Sequence, residues 1–430
     1  MKKNARRLKH RIYKSLNHSI ETYLADFILP NSLLFPAADK KRTAIDSIEI
    51  NGRKIPRFTN EFWTSKQRQT NTIHEISYRA CFKAQLPRFF IELLTQEGEV
   101  VYDPFGGRGT TAIESGLLNR NVISNDVNPL SSILTKPRFF IPTLTEIKQR
   151  LAKIPYNDLT DDFDLSMFYH PKTEQEIKSL RKYLEKQKTE GKEDSIDSWV
   201  RMVATNRLTG HSPGFFSVYT LPPNQAMSRE RQKKINEKRN QQPPYRDTKA
   251  IILKKSQQLL REISNSLRNR LREIGQRALF LTNDARDTKS IQSESAQLVV
   301  TSPPFLDIVQ YAEDNWLRCW FNSIDADEVA SGITVTGNLN DWLSIMLGVF
   351  KELYRVVRPA GWVAFEVGEV RKEKIKLDEE IVPIGEKTGF TCRGIIINQQ
   401  EFTKTANIWG ISNNTRGTNT NRIVLFEKAE

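Results

Sequence analysis

The feature that most constrains the fold of this 430-residue chain is a strand, a glycine loop, a helix and a second strand in direct succession. Residues 99–103 (EVVYD) form a short β-type run, and residues 104–109 (PFGGRG) form the loop. Apolar side chains recur at helical spacing over 110–118, and residues 121–125 (NVISN) are the next strand, followed by Asp126. This succession predicts the first unit of an open α/β sheet of the Rossmann type.

Further β-type runs complete a sheet of about seven strands, mostly parallel, with an antiparallel last strand. They are predicted at 277–284, 297–301, 362–367, 391–398 and 422–427. No helical pattern separates the last two runs, which predicts an antiparallel pair at the edge of the sheet.

The second and third strands are about 150 residues apart, whereas one short helical crossover normally joins such strands. The sequence therefore predicts an insertion over about 145–275. Within it, residues 173–188 have the pattern of a surface helix, and residues 251–274 predict one long amphipathic helix. Residues 201–223 mix basic, aromatic, Gly and Pro residues without periodicity.

Positive charge is concentrated in two stretches. The chain has 65 Lys and Arg against 51 Asp and Glu, a formal charge of +14. Residues 2–14 hold seven basic side chains and no acidic one, and residues 229–277 hold 15 basic and five acidic ones. Such clusters are typical of nucleic-acid binding, although a solvated helix face and a basic tail would give the same pattern.

Several protein classes are disfavoured. No run approaches the roughly 20 apolar residues of a membrane span, and the basic N-terminus lacks the apolar core of a signal peptide. The three cysteines (Cys81, Cys319 and Cys392) are widely spaced, and five scattered histidines offer no metal-ligand spacing. We expect a soluble, intracellular protein without a metal site.

The glycine loop is compatible with more than one class of nucleotide site. It lacks the lysine that ends a Walker phosphate loop, because Arg108 precedes Gly109. Gly107, Gly109 and Ala112 satisfy a variant of the dinucleotide fingerprint. The glycines alone therefore do not identify the ligand.

The acids beside the loop are more informative. Asp103 ends the first strand, where a pyrophosphate would have to pass, and a carboxylate there repels phosphate but suits an ammonium group. S-adenosylmethionine carries such a group and no phosphate, and Asp126 can accept hydrogen bonds from both of its ribose hydroxyls. The pattern predicts S-adenosylmethionine as cofactor, against a strand-to-helix turn that binds nothing.

A second loop, Thr301-Ser302-Pro303-Pro304-Phe305, follows the apolar strand at 297–301. Two prolines cannot continue a central strand, so the chain leaves the sheet at the edge where ligands bind. The Ser302 hydroxyl and the Pro303 carbonyl can accept the hydrogens of an exocyclic amine, and Phe305 can stack on its ring. A plain turn after a strand remains an equal alternative for this loop taken alone.

Residues 103–111 and 302–305 together resemble the cofactor and catalytic motifs of the DNA amino-methyltransferases. The Ser-Pro-Pro-aromatic form is similar to the cytosine-N4 branch, since the adenine-N6 branch more often begins with Asp or Asn. The resemblance covers about 60–130 and 277–428 and implies a class I methyltransferase fold with a large, mainly helical insertion. Here the insertion precedes Asp284, whereas in the family it follows the corresponding acid.

The resemblance implies where S-adenosylmethionine is held. Residues 60–91, which include Lys66, are similar to the segment that closes over the methionine part. Asp284 takes the position of the acid that meets the adenine amino group. The other implied cofactor residues are Asp103, Pro104, Phe105, Gly107, Gly109, Thr110, Thr111, Asp126 and Asn128.

The family mechanism implies a target base flipped out of duplex DNA into a pocket beside Phe305. Arg207 and His211 are candidates for groove contact. Phe215, Phe216 and Tyr219 fit either a wedge in the duplex or the core of the insertion. The residues predicted to anchor phosphates are Arg229, Arg231, Lys233, Lys234, Lys238 and Arg239.

The predicted organisation is a basic arm (1–50), two parts of a methyltransferase domain (51–145 and 276–430) and an inserted target-recognition region (146–275). These features predict a cytosine-N4 DNA methyltransferase of a restriction–modification system, with a cognate endonuclease as a candidate partner, in a prokaryotic cytoplasm. Cytosine-C5 chemistry is disfavoured because no cysteine follows a proline. Adenine-N6 methylation, RNA amino-methylation and a catalytically silent scaffold remain alternatives.

Overall fold

The structure is a computed structural model that describes twelve parts of the chain. They are residues 19–29, 42–63, 71–78, 81–156, 163–220, 226–304, 306, 311–333, 336–367, 369–370, 375–400 and 419–430. Lys66, Phe305 and the basic stretch at 2–14 lie outside these residues.

Nine strands form the central sheet, and β8 and β9 form a separate two-stranded ribbon. The strands of the described residues are β1 (Ala44–Ile50), β2 (Arg53–Asn60), β3 (Val100–Asp103), β4 (Asn121–Asn125), β5 (Leu279–Leu281), β6 (Ala296–Thr301), β7 (Val357–Val367), β8 (Glu369–Val370), β9 (Ile375–Lys376), β10 (Phe390–Gln400) and β11 (Asn419–Lys428). The order across the large sheet is β1-β2-β10-β11-β7-β6-β3-β4-β5.

The sheet confirms the predicted Rossmann-like fold with a mostly parallel sheet. Strands β5, β4, β3, β6 and β7 are parallel, and β11 runs antiparallel to both β7 and β10. The chain reverses direction across the sheet between β3 and β6, which places a ligand crevice at their carboxyl ends. The last two strands form the predicted antiparallel pair, but the prediction that this pair lies at the edge was wrong, because β2 pairs with β10 and β1 is the edge strand.

The sequence analysis missed the hairpin of β1 and β2, which extends the sheet beyond β10. Strand β2 pairs in parallel with β10, from Arg57 beside Ile395 to Asn60 beside Asn398. Asn51 and Gly52 join the two strands with φ angles of 50° and 75°. An Asn-Gly pair between two short strands is a strong hairpin signal that the sequence does contain.

Helices cover both faces of the sheet and form the insertion. The α-helices of the described residues are α1 (Ile20–Ala25), α2 (Gln85–Leu94), α3 (Thr110–Leu117), α4 (Pro129–Thr135), α5 (Leu144–Lys153), α6 (Pro171–Thr189), α7 (Ser195–Arg207), α8 (Arg229–Arg239), α9 (Thr248–Leu260), α10 (Asn265–Arg277), α11 (Tyr311–Phe321), α12 (Ala326–Gly332), α13 (Leu339–Val356) and α14 (Leu377–Lys387). Neighbouring residues of β6 point to opposite cores, since Val299 packs with α13 and Val300 packs with α2.

Seven α-helices of the described residues, α4 to α10, lie between β4 and β5, and six of them, α5 to α10, fall where the insertion was predicted. Their core centres on the fully buried Trp199, whose Nε1 donates to Ser256 Oγ at 3.0 Å. The single helix predicted over 251–274 was wrong. The chain instead makes two helices, because the Ser264 hydroxyl accepts a hydrogen bond from Leu267 N and caps the start of α10.

Two further observations bear on the type of protein. In the part of the chain that the structure describes, no helix is long and apolar enough to cross a membrane. Cys81, Cys319 and Cys392 are all free thiols, and no disulfide joins them.

Candidate active site

The backbone of the glycine loop adopts a conformation that favours glycine at two positions. Gly107 and Gly109 have φ angles of 51° and 77°, in the left-handed region. A Cβ atom on Gly109 would overlap the side chain of Thr135 on α4. The loop therefore closes onto α4 only because this position carries no side chain.

Asp103 lies beneath the loop and ties two strands together. Its Oδ1 accepts hydrogen bonds from Thr301 Oγ1 at 2.7 Å and from Phe105 N at 3.1 Å. The residue is only 2% exposed, and burial raises the pKa of its carboxyl to about 7. The neighbouring Asp126 adds to this increase.

Asp126 follows β4 and faces the other side of the loop. Its Oδ2 accepts a hydrogen bond from Gly107 N at 2.8 Å, and its Oδ1 accepts one from Asn128 N at 2.9 Å. Burial raises the pKa of this carboxyl to about 6, although part of the residue is exposed. Asn128 caps α4 through Leu130 N, so its amide oxygen is already engaged.

The remaining predicted cofactor residues take different positions. Thr111 is buried and donates its hydroxyl to Val300 O at 3.1 Å, and Thr110 accepts a bond from Arg108 Nε. Pro104 is buried in the loop, and Phe105 is half-buried. Asp284 lies just after β5, and Arg286 forms a bidentate ion pair with it, which lowers the pKa of its carboxyl.

Ser302 lies immediately after β6 and beside Glu366, a residue that the sequence analysis missed, and the Ser302 hydroxyl acts to lower the pKa of that carboxyl. Glu366 also accepts a hydrogen bond from Asn421 Nδ2 at 2.7 Å. Burial raises the pKa of the Glu366 carboxyl above its usual range. The available signal was an acid near the carboxyl end of β7, the strand paired in parallel with β6.

The two prolines after Ser302 fix the start of this loop. Pro303 is buried, and the carbonyl of Pro304 accepts a hydrogen bond at 2.9 Å from Nε1 of the buried Trp342 on α13. Phe305, the predicted stacking residue, and Lys66, the predicted cofactor contact, lie outside the described residues.

Asp103, Asp126 and Glu366 form a set that we call the acidic edge. They lie at the carboxyl ends of β3, β4 and β7, and burial raises the pKa of each carboxyl. Such buried acids are stabilised by a nearby cation and destabilised by a nearby anion. The edge therefore fits a cationic ligand with hydroxyl groups and does not fit a pyrophosphate. The described residues contain no cluster of potential metal ligands.

The basic residues predicted to bind DNA phosphates lie on α8. Arg231, Lys233, Lys234, Lys238 and Arg239 are all exposed, and Arg229 is half-buried. Two of these arginines are partly engaged. The guanidinium of Arg229 lies 4.0 Å from the ring centre of Phe163, and that of Arg239 lies 3.8 Å from the ring centre of Tyr219.

The segment predicted to contact the DNA groove is mostly buried. Arg207 is only 7% exposed and lies against the ring of Phe215, so a contact from the protein surface was the wrong expectation. Phe215 and Phe216 are buried in the insertion, which favours the packing role over the wedge. His211 is exposed, and Tyr219 is half-buried.

Comparisons with known proteins are consistent with this geometry. Residues 29–132 match the family model described as DNA methylase. The chain is similar to the type II methyltransferase M.MvaI of Kocuria varians, with 26% identity over 31% of this chain and 28% of that protein. It is also similar to the type II methyltransferase M.BsoBI of Geobacillus stearothermophilus, with 31% identity over 20% of this chain and 17% of that protein.

The aligned part spans less than a third of the length of these curated relatives. A solved SAM-dependent methyltransferase from Methanosarcina mazei is 8% identical and covers 78% of this chain and 95% of its own, with a TM-score of 0.29. The stretch that matches the family model, residues 29–132, includes the glycine loop.

Proposed function

We propose that this chain is a site-specific DNA methyltransferase that transfers a methyl group from S-adenosylmethionine to the N4 amine of a flipped-out cytosine, within a restriction–modification system. One observation carries the proposal. The carboxyl ends of adjacent parallel strands bring the glycine loop, Asp126 and the Ser302–Glu366 pair to one edge of the sheet.

The glycine loop and the two acids beside it, Asp103 and Asp126, fit the cofactor. Gly107 and Gly109 keep the loop free of side chains, and the partly exposed Asp126 offers carboxylate oxygens to ribose hydroxyls. Asp103 supplies negative charge beneath the loop, where an ammonium group would lower its pKa. When bound, the cofactor supplies an electrophilic methyl group on a positively charged sulfur.

The Ser302–Glu366 pair provides a route for the proton that the amine must lose. The amine nitrogen forms a bond to the methyl carbon, the sulfur–carbon bond breaks, and its electron pair stays on sulfur. The nitrogen then carries a positive charge and releases one proton. Ser302 can accept a hydrogen bond from the amine, and the raised pKa of Glu366 suits it to take up the proton through the Ser302 hydroxyl.

The residue before the two prolines favours the cytosine-N4 branch, because it is Ser302, whereas the adenine-N6 branch more often has Asp or Asn there. Ser302 precedes two prolines, and the carbonyl of Pro303 is a second candidate acceptor for an amine hydrogen. Because Trp342 already occupies the carbonyl of Pro304, the loop offers the carbonyl of the first proline rather than that of the second.

Incubation with labelled S-adenosylmethionine and genomic DNA, followed by nucleoside mass spectrometry, tests the proposal. We expect label in N4-methylcytosine. Label in N6-methyladenine would keep the methyltransferase assignment and contradict the branch. Absence of label from DNA, with label in an RNA control or in neither, would contradict the proposed activity.

A further inference from the structure

A polar cavity of about 430 Å³ adjoins the glycine loop. Arg108 of the loop and residues 75–78 form one wall. The inserted region forms the other wall with Arg207 at the end of α7, Phe215, and Lys255 and Gln258 on α9. We call this space the basic cavity, because three cations and a single acid, Glu75, line it. Its volume falls in the usual range of ligand pockets, about 300–1,000 Å³.

The positive charge of the basic cavity is only partly balanced. Lys255 Nζ lies 3.7 Å from Glu75 Oε2, but the Glu75 side chain is 40% exposed to solvent. Arg207 and Arg108 form no ion pair with an acid in the described residues, and their hydrogen bonds go to neutral oxygens. The cavity therefore holds excess positive charge in a partly desolvated space.

Burial makes this charge costly without an anion. It lowers the pKa of Lys255 to about 8, and the nearby Arg207 charge contributes to the decrease. Burial likewise lowers the pKa of Arg207 to about 10, with a contribution from Arg318. Behind the loop, the fully buried Arg138 donates only to backbone carbonyls, including that of Arg108. An anion in the cavity would offset the repulsion among these cations.

The guanidinium of Arg207 is held in a fixed orientation. Its centre lies 4.0 Å from the ring centre of Phe215, and its Nε and Nη2 donate to the backbone and side-chain oxygens of Asn206. Its Nη1 group makes no hydrogen bond within the described residues, and the same is true of Arg108 Nη2. Two guanidinium groups with available N–H donors in one cavity form a suitable site for a phosphate oxygen.

We propose that the basic cavity binds a phosphodiester of the DNA backbone next to the flipped nucleotide. This inference rests on the proposed function and specifies how the inserted region would hold the substrate. The cavity adjoins the glycine loop, because Tyr78 in its wall lies 3.8 Å from the Cβ position of Gly107 and its hydroxyl is 3.5 Å from Asn128 Nδ2. A phosphate held there lies beside the edge where the target base reacts.

Replacement of Lys255 with Met keeps most of the side-chain volume and removes the charge. Binding of a labelled duplex oligonucleotide is measured over a series of salt concentrations, together with S-adenosylmethionine affinity and methyl transfer. We expect DNA affinity to fall about tenfold at moderate salt, and the salt slope to decrease by about 0.9. We expect the affinity of the variant for S-adenosylmethionine to stay within about twofold of that of the native protein.

Lys254→Met is the matched control, because Lys254 is the neighbouring residue on α9 and is exposed. Arg207→Gln is a second test variant, and urea unfolding of all variants shows whether they fold. Arg207→Gln should reproduce the loss of DNA affinity, and Lys254→Met should leave the salt slope nearly unchanged.

Three results overturn the inference in distinguishable ways. If native protein methylates DNA and folded Lys255→Met binds duplex with native affinity and slope, the cavity holds no phosphate and the proposed function stands. If Lys255→Met loses S-adenosylmethionine affinity instead, the cavity serves the cofactor carboxylate. If native protein neither binds nor methylates duplex DNA, the proposed function fails and the inference fails with it.

Discussion

The acidic edge and the basic cavity both adjoin one glycine loop and are lined by groups of opposite charge. Burial raises the pKa values of Asp103 and Asp126 on one side and lowers those of Lys255 and Arg207 on the other. The physical cause is the same, since desolvation disfavours whichever form is charged. Each region is therefore poised for a ligand of the opposite sign.

The comparison explains how one loop could serve two ligands. Gly107 donates its N–H to Asp126 on the acidic side, whereas the Arg108 side chain reaches Ile76 O on the basic side. The loop thus contacts the acidic edge through a backbone N–H group and the wall of the basic cavity through a side chain. A cationic cofactor and an anionic backbone would be kept apart by a single turn of chain.

The largest expected effect concerns the acidic edge alone. Ser302→Ala removes the hydroxyl beside Glu366, and we expect kcat to fall by about a hundredfold or more. Affinities for S-adenosylmethionine and duplex DNA should remain near the native values, because neither proposed site uses this hydroxyl. Turnover near the native rate would contradict the catalytic assignment.

Glu366→Gln separates proton uptake from positioning of Ser302. The amide can keep a hydrogen bond to Ser302 but cannot accept a proton. We expect native kcat to decline toward acid pH as Glu366 becomes protonated, and the variant to lose this acid limb. Glu366→Asp should restore part of the limb, and an unchanged pH profile in Glu366→Gln would remove Glu366 from the proton route.

Gly109→Ala tests whether the glycine loop can pack against α4 when this position carries a side chain. The alanine would have to adopt a φ of +77° and would overlap Thr135, so we expect a loss of roughly 2–5 kcal/mol in the free energy of unfolding. Gly98→Ala is the control, since Gly98 has a φ of +84° with open space around it. Urea unfolding should show the smaller cost for Gly98→Ala, and equal costs would exclude the Thr135 overlap as a cause.

The sheet could be predicted from the sequence because its signals are local. Each strand of the parallel half is a short apolar run that ends at an acid, a glycine loop or a proline, as at Asp103 and Ser302. The hairpin of β1 and β2 was missed because β1 has no fully buried side chain, and only Ile48 and Ile50 are partly buried against the core. Its turn at Asn51 and Gly52 was nevertheless readable.

The missing parts of the site depend on contacts between distant residues. Glu366 lies beside Ser302 only because β7 pairs with β6. Lys255 and Arg108 line the same cavity only because α9 lies near the glycine loop. Neither pairing has a local sequence signature. Arg207 and Lys234 likewise look equivalent as basic residues in the sequence, although one is buried and the other is exposed.

The pH dependence of cofactor affinity also tests the acidic edge, with a smaller expected change than that of Ser302→Ala. A carboxyl with a pKa of about 7 must lose its proton to attract an ammonium group. We therefore expect S-adenosylmethionine affinity to rise by about tenfold between pH of about 6 and about 8. Asp103→Asn should flatten this dependence, as measured by calorimetry. A rise of equal size in the variant would assign it to another group.

The raised pKa values of Asp103 and Asp126 also determine how the stability of the folded state changes with pH. Because the folded state keeps the protons of Asp103 and Asp126 to higher pH than the unfolded chain does, these groups favour the folded state most at acid pH. Their contribution declines as pH rises from about 4 to about 7. Asp103→Asn should weaken this decline in urea unfolding series, and an identical pH series in the variant would contradict the buried position of Asp103.

The smallest effect separates exposed from buried positive charge within the DNA surface. Lys234 on α8 is exposed, so water and salt screen its charge more than that of Lys255. Lys234→Gln should weaken duplex binding by only about threefold at moderate salt, equally on all sequences. Lys182→Gln, on the exposed face of α6, is the control and should leave binding unchanged. If Lys234→Gln cost more affinity than Lys255→Met, α8 rather than the basic cavity would be the principal phosphate contact.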